Sequence, residues 1–545
     1  MSEPAESIGA FDYVIVGGGS AGCVLANRLS KDPSISVALI EAGGDNDTFW
    51  VHTPVGLGLL LQDSRYNWAY RSAPEPFADS RETPVPRGKG LGGSSSINAM
   101  IYIRGVAQDY DLWRQYGNPG WSWDDVLPYF KKFEDHPHPE RHPAHSAGGE
   151  LGITETPQRY EILGAWTCAA VETGIPETDD FNRGDNEGVG PAQATIKGGR
   201  RRSAAEAFLR PVLSRRNLHV VTNAQATRLL FDGRRVTGVE YAPNGGMARA
   251  DASCEVVVAA GAIGSPQLLQ LSGVGPADVL ARCGVEMRHA LPGVGENMQD
   301  HWQLRLTWSL SNTITFNQWY NNPLRRYAMG AQYLATRGGP MSAQPPQVLA
   351  FTRTEPSYET PNIQFHVSPY SSDAVGGPLH KTSGFSNLIA VLNPRSYGHS
   401  HIRTGDFREA PSILHNFLAT AESHRVAIDT IRLARRIMAQ KAVARFAPVE
   451  MTPGPDVRSD DEILAFARHS VMTTFHQSCT CKMGPQSDAM AVVDERLRVR
   501  GLDGLRIVDA SIMPLVPSGN TNAPTMMIAE KGADMILADR RARRA

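Results

Sequence analysis

The run Gly17-Gly18-Gly19-Ser20-Ala21-Gly22 repeats glycine at the spacing that lets a backbone loop close around a pyrophosphate. The first glycine makes a tight turn, the second admits phosphate oxygens against the main chain, and the third lets a helix pack on a strand. N–H groups at the helix start, reinforced by the helix dipole, then hold the negative charge. Glu41 follows Gly22 by 19 residues, where a carboxylate accepts hydrogen bonds from adenosine ribose hydroxyls; Ala42 is next to it. Such a loop works only between a strand and a helix. Residues 11–16 (Phe-Asp-Tyr-Val-Ile-Val) read as a buried parallel strand, and Ala21, Val24, Leu25, Ala26 and Leu29 give helical spacing over 20–30. Residues 37–40 form a second strand. The result is a βαβ dinucleotide-binding unit at the N-terminus, which by itself does not separate FAD from NAD.

The rest of the chain sets limits on what that unit serves. With 545 residues, 41% hydrophobic and 20% charged, it reads as a soluble globular protein of more than one domain. A net charge of −2 argues against a nucleic-acid partner. The tail Arg540-Arg541-Ala542-Arg543-Arg544 reads as a solvated end, with weak membrane-surface contact as the alternative. Six irregularly spaced cysteines read as reduced or packed. No signal peptide and no apolar stretch near the roughly 18 residues of a span are visible, so the expected location is cytoplasmic, at most peripheral at the inner membrane. Prolines interrupt the histidines of 136–150, so that segment is expected to be a solvated loop, and no metal site is expected.

Four later segments add to the dinucleotide motif. They are the loop 88–98 (GKGLGGSSSIN), the run 261–275 (GAIGSPQLLQLSGVG), the run 291–301 (LPGVGENMQDH), and C-terminal stretches around His476-Gln477-Ser478-Cys479-Thr480-Cys481 and Val508-Asp509-Ala510-Ser511, continuing to Asn520-Thr521-Asn522. In order and spacing, from about residue 11 to 538, the chain resembles the glucose–methanol–choline (GMC) flavoprotein oxidoreductases, with most similarity to bacterial choline and alcohol dehydrogenases.

The resemblance implies an α/β fold: a Rossmann-like FAD domain (1–155, 205–310 and 470–545) and a substrate domain (156–204 and 311–469) with an antiparallel sheet over the flavin. It implies FAD as cofactor, with Gly17, Gly19, Ser20, Ala21, Gly22, Glu41 and Ala42 on the ADP half and Ala226 near the adenine. Gly93, Asn98 and Ala99, with Gly92, would border the isoalloxazine; Asp509 and Ala510 would reach the pyrophosphate–ribityl stretch, and Asn522 the pyrimidine edge. Some members carry a flavin-linked histidine where this chain has Ile97, so non-covalent FAD is expected.

The implied reaction is oxidation of a small-molecule alcohol to an aldehyde, with hydride moving from the carbinol carbon to flavin N5. A histidine suits the proton acceptor and a neutral amide the oxygen-holding partner. His476 and Asn520 stand where the family places its catalytic pair. Alone, either would read as a packed histidine or a turn asparagine, and Asn522 competes with Asn520. Left open are a quinone-linked dehydrogenase against an oxidase passing electrons to O2, a non-oxidative relative such as a lyase or photodecarboxylase, and the identity of the alcohol. Trp68, Trp319, Tyr320 and Tyr370 are candidate walls for a choline site, which would need aromatic faces or a carboxylate.

Overall fold

The computed structural model describes residues 6–157, 159–243 and 246–544. Its first sheet runs Leu218–Val221, Val37–Ile40, Glu6–Val16, Ala248–Val258, all parallel. On the far side of Ala248–Val258 its second half takes Leu505–Ile507 in parallel, while its first half takes the antiparallel pair Arg235–Ala242 and Gln225–Asp232. The central strands are β-branched and apolar because helices cover both faces; Val14, Ile15, Val37, Leu39, Val256 and Val258 are fully enclosed.

Helix Ser20–Leu29 packs on this sheet and against the C-terminal helix Asn522–Arg544. Arg28 clamps the two, with ion pairs of 2.5 Å to Glu530 and to Glu150. The first helix approaches its strand so closely that a Cβ on Gly22 would stand 1.8 Å from the Gly17 carbonyl oxygen. Any side chain there would push the helix off.

The second sheet is antiparallel throughout: Val449–Thr452, Trp302–Ser309, Gly384–Val391, Ile363–Ser368, Val348–Thr352, Gly188–Pro191, with Met472–Thr473 on the strand at 302. Its outer face rests on helices Glu161–Glu172 and Ala421–Met438, forming a second apolar core around Trp166, Leu304 and Ile431. The strand at 302–309 belongs to this sheet, whereas the expected boundary at 310 put it with the nucleotide domain; the chain changes sheets directly after His301.

Two other expectations need correction. His136 and His145 are buried, not solvated. His145 lies 3.1 Å from Glu134 and 2.9 Å from Asp180, and Glu134 takes Arg104 at 2.6 Å. The prolines shape a loop that folds inward because Glu134 and Asp180 await the His145 imidazole, with Arg104 balancing the charge of Glu134. The basic tail likewise is partly bound to the protein: Arg540 pairs with Asp12 and Arg543 with Glu255, both at 2.8 Å.

Candidate active site

Among the residues expected to hold the nucleotide, the glycine loop, Glu41 and Asp509 follow parallel strands, while Ala226 lies within the antiparallel strand Gln225–Asp232. Gly17 comes after Val16, Glu41 after Ile40, Ala259 after Val258, and Asp509 shortly after Ile507. Ligands of open α/β sheets sit at these carboxyl ends, where connections leave to opposite faces. A cavity of about 350 Å3 opens there and continues under the second sheet. Gly17, Gly19, Ser20, Ala21, Glu41, Ala42, Gly93, Asn98, Ala99, Ala226, Asp509, Ala510, Asn522, His476 and Asn520 all line it. Gly22 and Gly92 do not. Gly22 works behind the wall, and Gly92 N–H donates to the Gly18 carbonyl at 2.8 Å, fastening the loop at 88–98 to the phosphate loop.

The nucleotide end fits FAD on its own geometry. A Cβ on Gly19 would meet nothing nearer than 3.9 Å and one on Gly261 nothing within 4 Å, so both strand-end turns face open space. Glu41 takes Gly18 N–H at 2.7 Å on one oxygen, and Gly43 and Gly90 N–H at 2.8 and 2.9 Å on the other. Its carboxylate thus aims at the cavity while locking three loops. Asp509 accepts from Gly261 N–H (2.8 Å), Ser265 Oγ (2.5 Å) and Ser511 N–H (2.8 Å). Asn522 opens the C-terminal helix and takes Ser20 Oγ at 2.8 Å. Ile97 is buried in the cavity wall and has no atom that could bond to a cofactor.

Farther in, Asn520 Nδ2 donates to His476 Nε2 at 3.1 Å. Gln364 Nε2 donates to Asn520 Oδ1 at 3.1 Å, which orients the amide. His476 Nδ1 meets His301 Nδ1 at 2.9 Å. With Nε2 accepting from the amide, Nδ1 of His476 is the protonated nitrogen, a tautomer assigned from the network. His366 lies beside Asn520 on the sheet above.

This histidine cluster is charge-poor. Burial, then the neighbouring His301, His366 and Arg87, hold His476 well below the usual histidine range. Burial pushes His301 down to about 3 and His366 to about 4. Asp300 Oδ1 accepts the backbone N–H of His476 at 2.9 Å and Oδ2 takes Gln477 Nε2 at 2.9 Å. Burial raises Asp300 to about 6, against the pull of His415. Phe475, just before the histidine, has φ +69, a conformation costly for a bulky residue. Thr473 Oγ1 accepts its N–H at 2.6 Å and Arg87 Nη2 donates to its carbonyl at 2.9 Å, so its neighbours hold the turn that presents His476.

Asp300 and His301 stand in the sequence only as the end of the run 291–301, and His366, Arg87 and Gln364 carry no local signal of a role. Of the aromatic candidates, Trp68 and Tyr370 line the cavity, while Trp319 and Tyr320 lie on helix Phe316–Asn321 outside it. Among the described residues one trio, Asp47, His52 and Glu206, gathers potential metal-ligand atoms, but Arg210 pairs with Glu206 at 2.5 Å.

Comparison with known proteins bears on the whole chain. The family model for GMC oxidoreductases matches residues 11–303 with its N-terminal part and 394–529 with its C-terminal part. The chain belongs to the GMC oxidoreductase family. It is an FAD-dependent oxidoreductase that oxidises an alcohol. Among its relatives, the "oxygen-dependent choline dehydrogenase" of Serratia proteamaculans is 43% identical over 96% of this chain and 95% of its own. That of Pseudomonas entomophila is 44% identical over 96% and 94%. Pyridoxine 4-oxidase from Mesorbium loti superposes with a TM-score of 0.85 at 32% identity, covering 96% of this chain and 98% of that one. An FAD-dependent oxidoreductase from Chaetomium thermophilum gives 0.89 at 28%, covering 97% and 100%. Among the described residues no helix is long and apolar enough to cross a membrane.

Proposed function

We propose that His476 is the base and Asn520 the oxygen-holding partner in oxidation of a primary alcohol to an aldehyde, with FAD held non-covalently by the strand-end residues named above. The observation that carries this reading is the pair itself. His476 Nε2 and the Asn520 amide Nδ2 lie 3.1 Å apart on the cavity wall, so an alcohol hydroxyl that replaces the hydrogen bond between them can donate to Nε2 and accept from Nδ2. Bound FAD supplies the acceptor for the hydride that leaves the carbinol carbon.

The protein's own work is the proton and the geometry. His476 is kept neutral by burial and takes the hydroxyl proton at Nε2. Asn520, oriented by Gln364, steadies the oxygen as negative charge develops on it. His301, on Nδ1 of His476, fixes the ring and its tautomer, and Asp300 fixes the backbone. The second sheet lines the same cavity through His366 and Leu388. The Gly17–Gly22 loop, Glu41, Ala226 and Asp509 with Ala510 serve the nucleotide; Gly93, Asn98, Ala99 and Asn522 serve the ring end. The names of the relatives place O2 first among the electron acceptors to assay and choline first among the alcohols.

The test is anaerobic reduction of the bound flavin by an alcohol panel. His476→Ala should keep its yellow cofactor and slow reduction at least about 100-fold, the scale of a lost general base. Near-normal reduction removes His476 from the reaction.

A further inference from the structure

Arg305 stands inside the cavity without an anion. It lies on the strand Trp302–Ser309, two residues beyond Gln303 and so on the same face of the sheet. Both line the cavity. Arg305 is 8% exposed. Its Nη1 donates to the carbonyl and the hydroxyl of Ser372 at 3.2 and 3.1 Å. Its Nη2 is buried with no hydrogen-bond partner, and among the described residues no carboxylate comes within ion-pair distance. The nearby acid, Asp373, is 91% exposed and spends Oδ1 on His380 at 2.9 Å. A guanidinium taken out of water without a counter-charge is costly, and proteins keep one where something else supplies the charge.

No carboxylate in the wall is free to meet a cation, and the largest ring there is already engaged. The carboxylates lining the cavity are Glu41 and Asp509, both at the nucleotide end and both engaged by backbone N–H groups. Trp68, the largest ring in the wall, stacks on Tyr70 at 5.7 Å and already carries the Lys89 ammonium 4.8 Å from its centre. Register places the free guanidinium relative to the reacting centre. Arg305 pairs with Leu388 and Leu388 with His366, so Arg305 and His366 share a face two strands apart, about 9.5 Å between backbones.

We propose that Arg305 binds a carboxylate on the substrate, making this enzyme selective for alcohols that carry an anionic group several bonds from the carbinol, and not for choline. The inference rests on the reading that this cavity binds the alcohol. Arg305 recognises the far end of the substrate through Nη2, the unpartnered arm of its fork, which turns into the cavity as the anion enters, while His476 and Asn520 act on the near end. Choline would bring a second positive charge beside a buried, uncompensated one.

The test uses the full chain loaded with FAD, free of oxygen, and two matched pairs of alcohols: 4-(hydroxymethyl)benzoate against benzyl alcohol, and 6-hydroxyhexanoate against 1-hexanol, with choline alongside. In at least one pair the acid should half-saturate flavin reduction at a concentration about 30-fold or more below its neutral partner, with choline the poorest. Arg305→Met should erase that preference while leaving the neutral alcohol within about threefold, and Arg305→Lys should restore part of it. A wild type that prefers choline, or the neutral alcohol in both pairs, overturns the proposal whether or not the variants fold. So does an Arg305→Met protein that weakens acid and neutral alcohol alike. Benzoate, which cannot react, is titrated separately against the absorbance of the bound flavin. If no alcohol reduces the flavin, the proposed reaction fails, and benzoate binding that does or does not depend on Arg305 still decides the anion site.

Discussion

The enclosure of His476 predicts an unusual response to acid. The perturbation is a shift from pH 8 to pH 5 during the reductive half-reaction. A histidine with an ordinary pKa near 6.5 would be only about 3% neutral at pH 5, so a base of that kind would lose rate about 30-fold. His476 has neither the water nor the counter-charge that would favour its cation. It is buried, His301 and His366 stand beside it, Arg87 adds positive charge, and Asp300 spends both oxygens on N–H groups. The neutral form therefore persists well below pH 6.5, and the rate constant for flavin reduction should fall far less than about 30-fold between pH 8 and pH 5, any step near pH 6 belonging to Asp300. The assay is anaerobic stopped-flow at saturating alcohol, following flavin absorbance at half-unit steps. A tenfold-per-unit decline beginning near pH 6.5 would falsify the argument, because it would show an imidazole titrating as if in water.

Other outcomes follow from the same geometry. His301 and His366 stay neutral when folded down to about 3 and 4, whereas the unfolded chain protonates them near 6.5. Their effect on stability is nil above pH 6.5 and turns unfavourable as pH falls, reaching about 2 kcal/mol each at pH 5. Asp300, raised to about 6, has the opposite sign and offsets part of it; His301→Gln should therefore narrow the loss of Tm between pH 8 and pH 5. Glu41→Gln replaces an oxygen that accepts N–H groups with an NH2 that repels them, so FAD should bind about 10- to 100-fold more weakly. Reconstitution of apoprotein followed at the flavin band measures that. Because Ile97 cannot bond the cofactor, acid precipitation should release all yellow colour to the supernatant, and colour left in the pellet would refute non-covalent binding.

What could be read from the residues depended on how local each structure is. Gly17 to Gly22 and Glu41 form one strand–loop–helix–strand unit, so their spacing alone announced both the turn and its ligand. The pair His476 and Asn520 was legible only through resemblance to a family, since a histidine near a strand end and an asparagine in a glycine turn have many other uses. The histidine cluster was out of reach for a different reason. His301 and His476 are 175 positions apart and meet because Met472–Thr473 pairs with the start of the strand at 302, a long-range pairing that no local pattern encodes. The loop at 136–150 failed the same way. Proline argues correctly against a helix, but Asp180, brought in from another segment, meets His145 Nε2 and with Glu134 turns it inward. Arg305 carries no signal in the sequence, and only the lack of any facing acid gives it meaning.

The strand that starts after His301 joins two tasks in one rigid piece. Its root supports the imidazole that handles the proton, and four residues on, Arg305 faces whatever the far end of the substrate carries. Exchanging side chains at the cavity-facing positions of this sheet can therefore move such an enzyme from one alcohol to another while its redox apparatus stays untouched, so a lineage can diversify in diet without reinventing its chemistry.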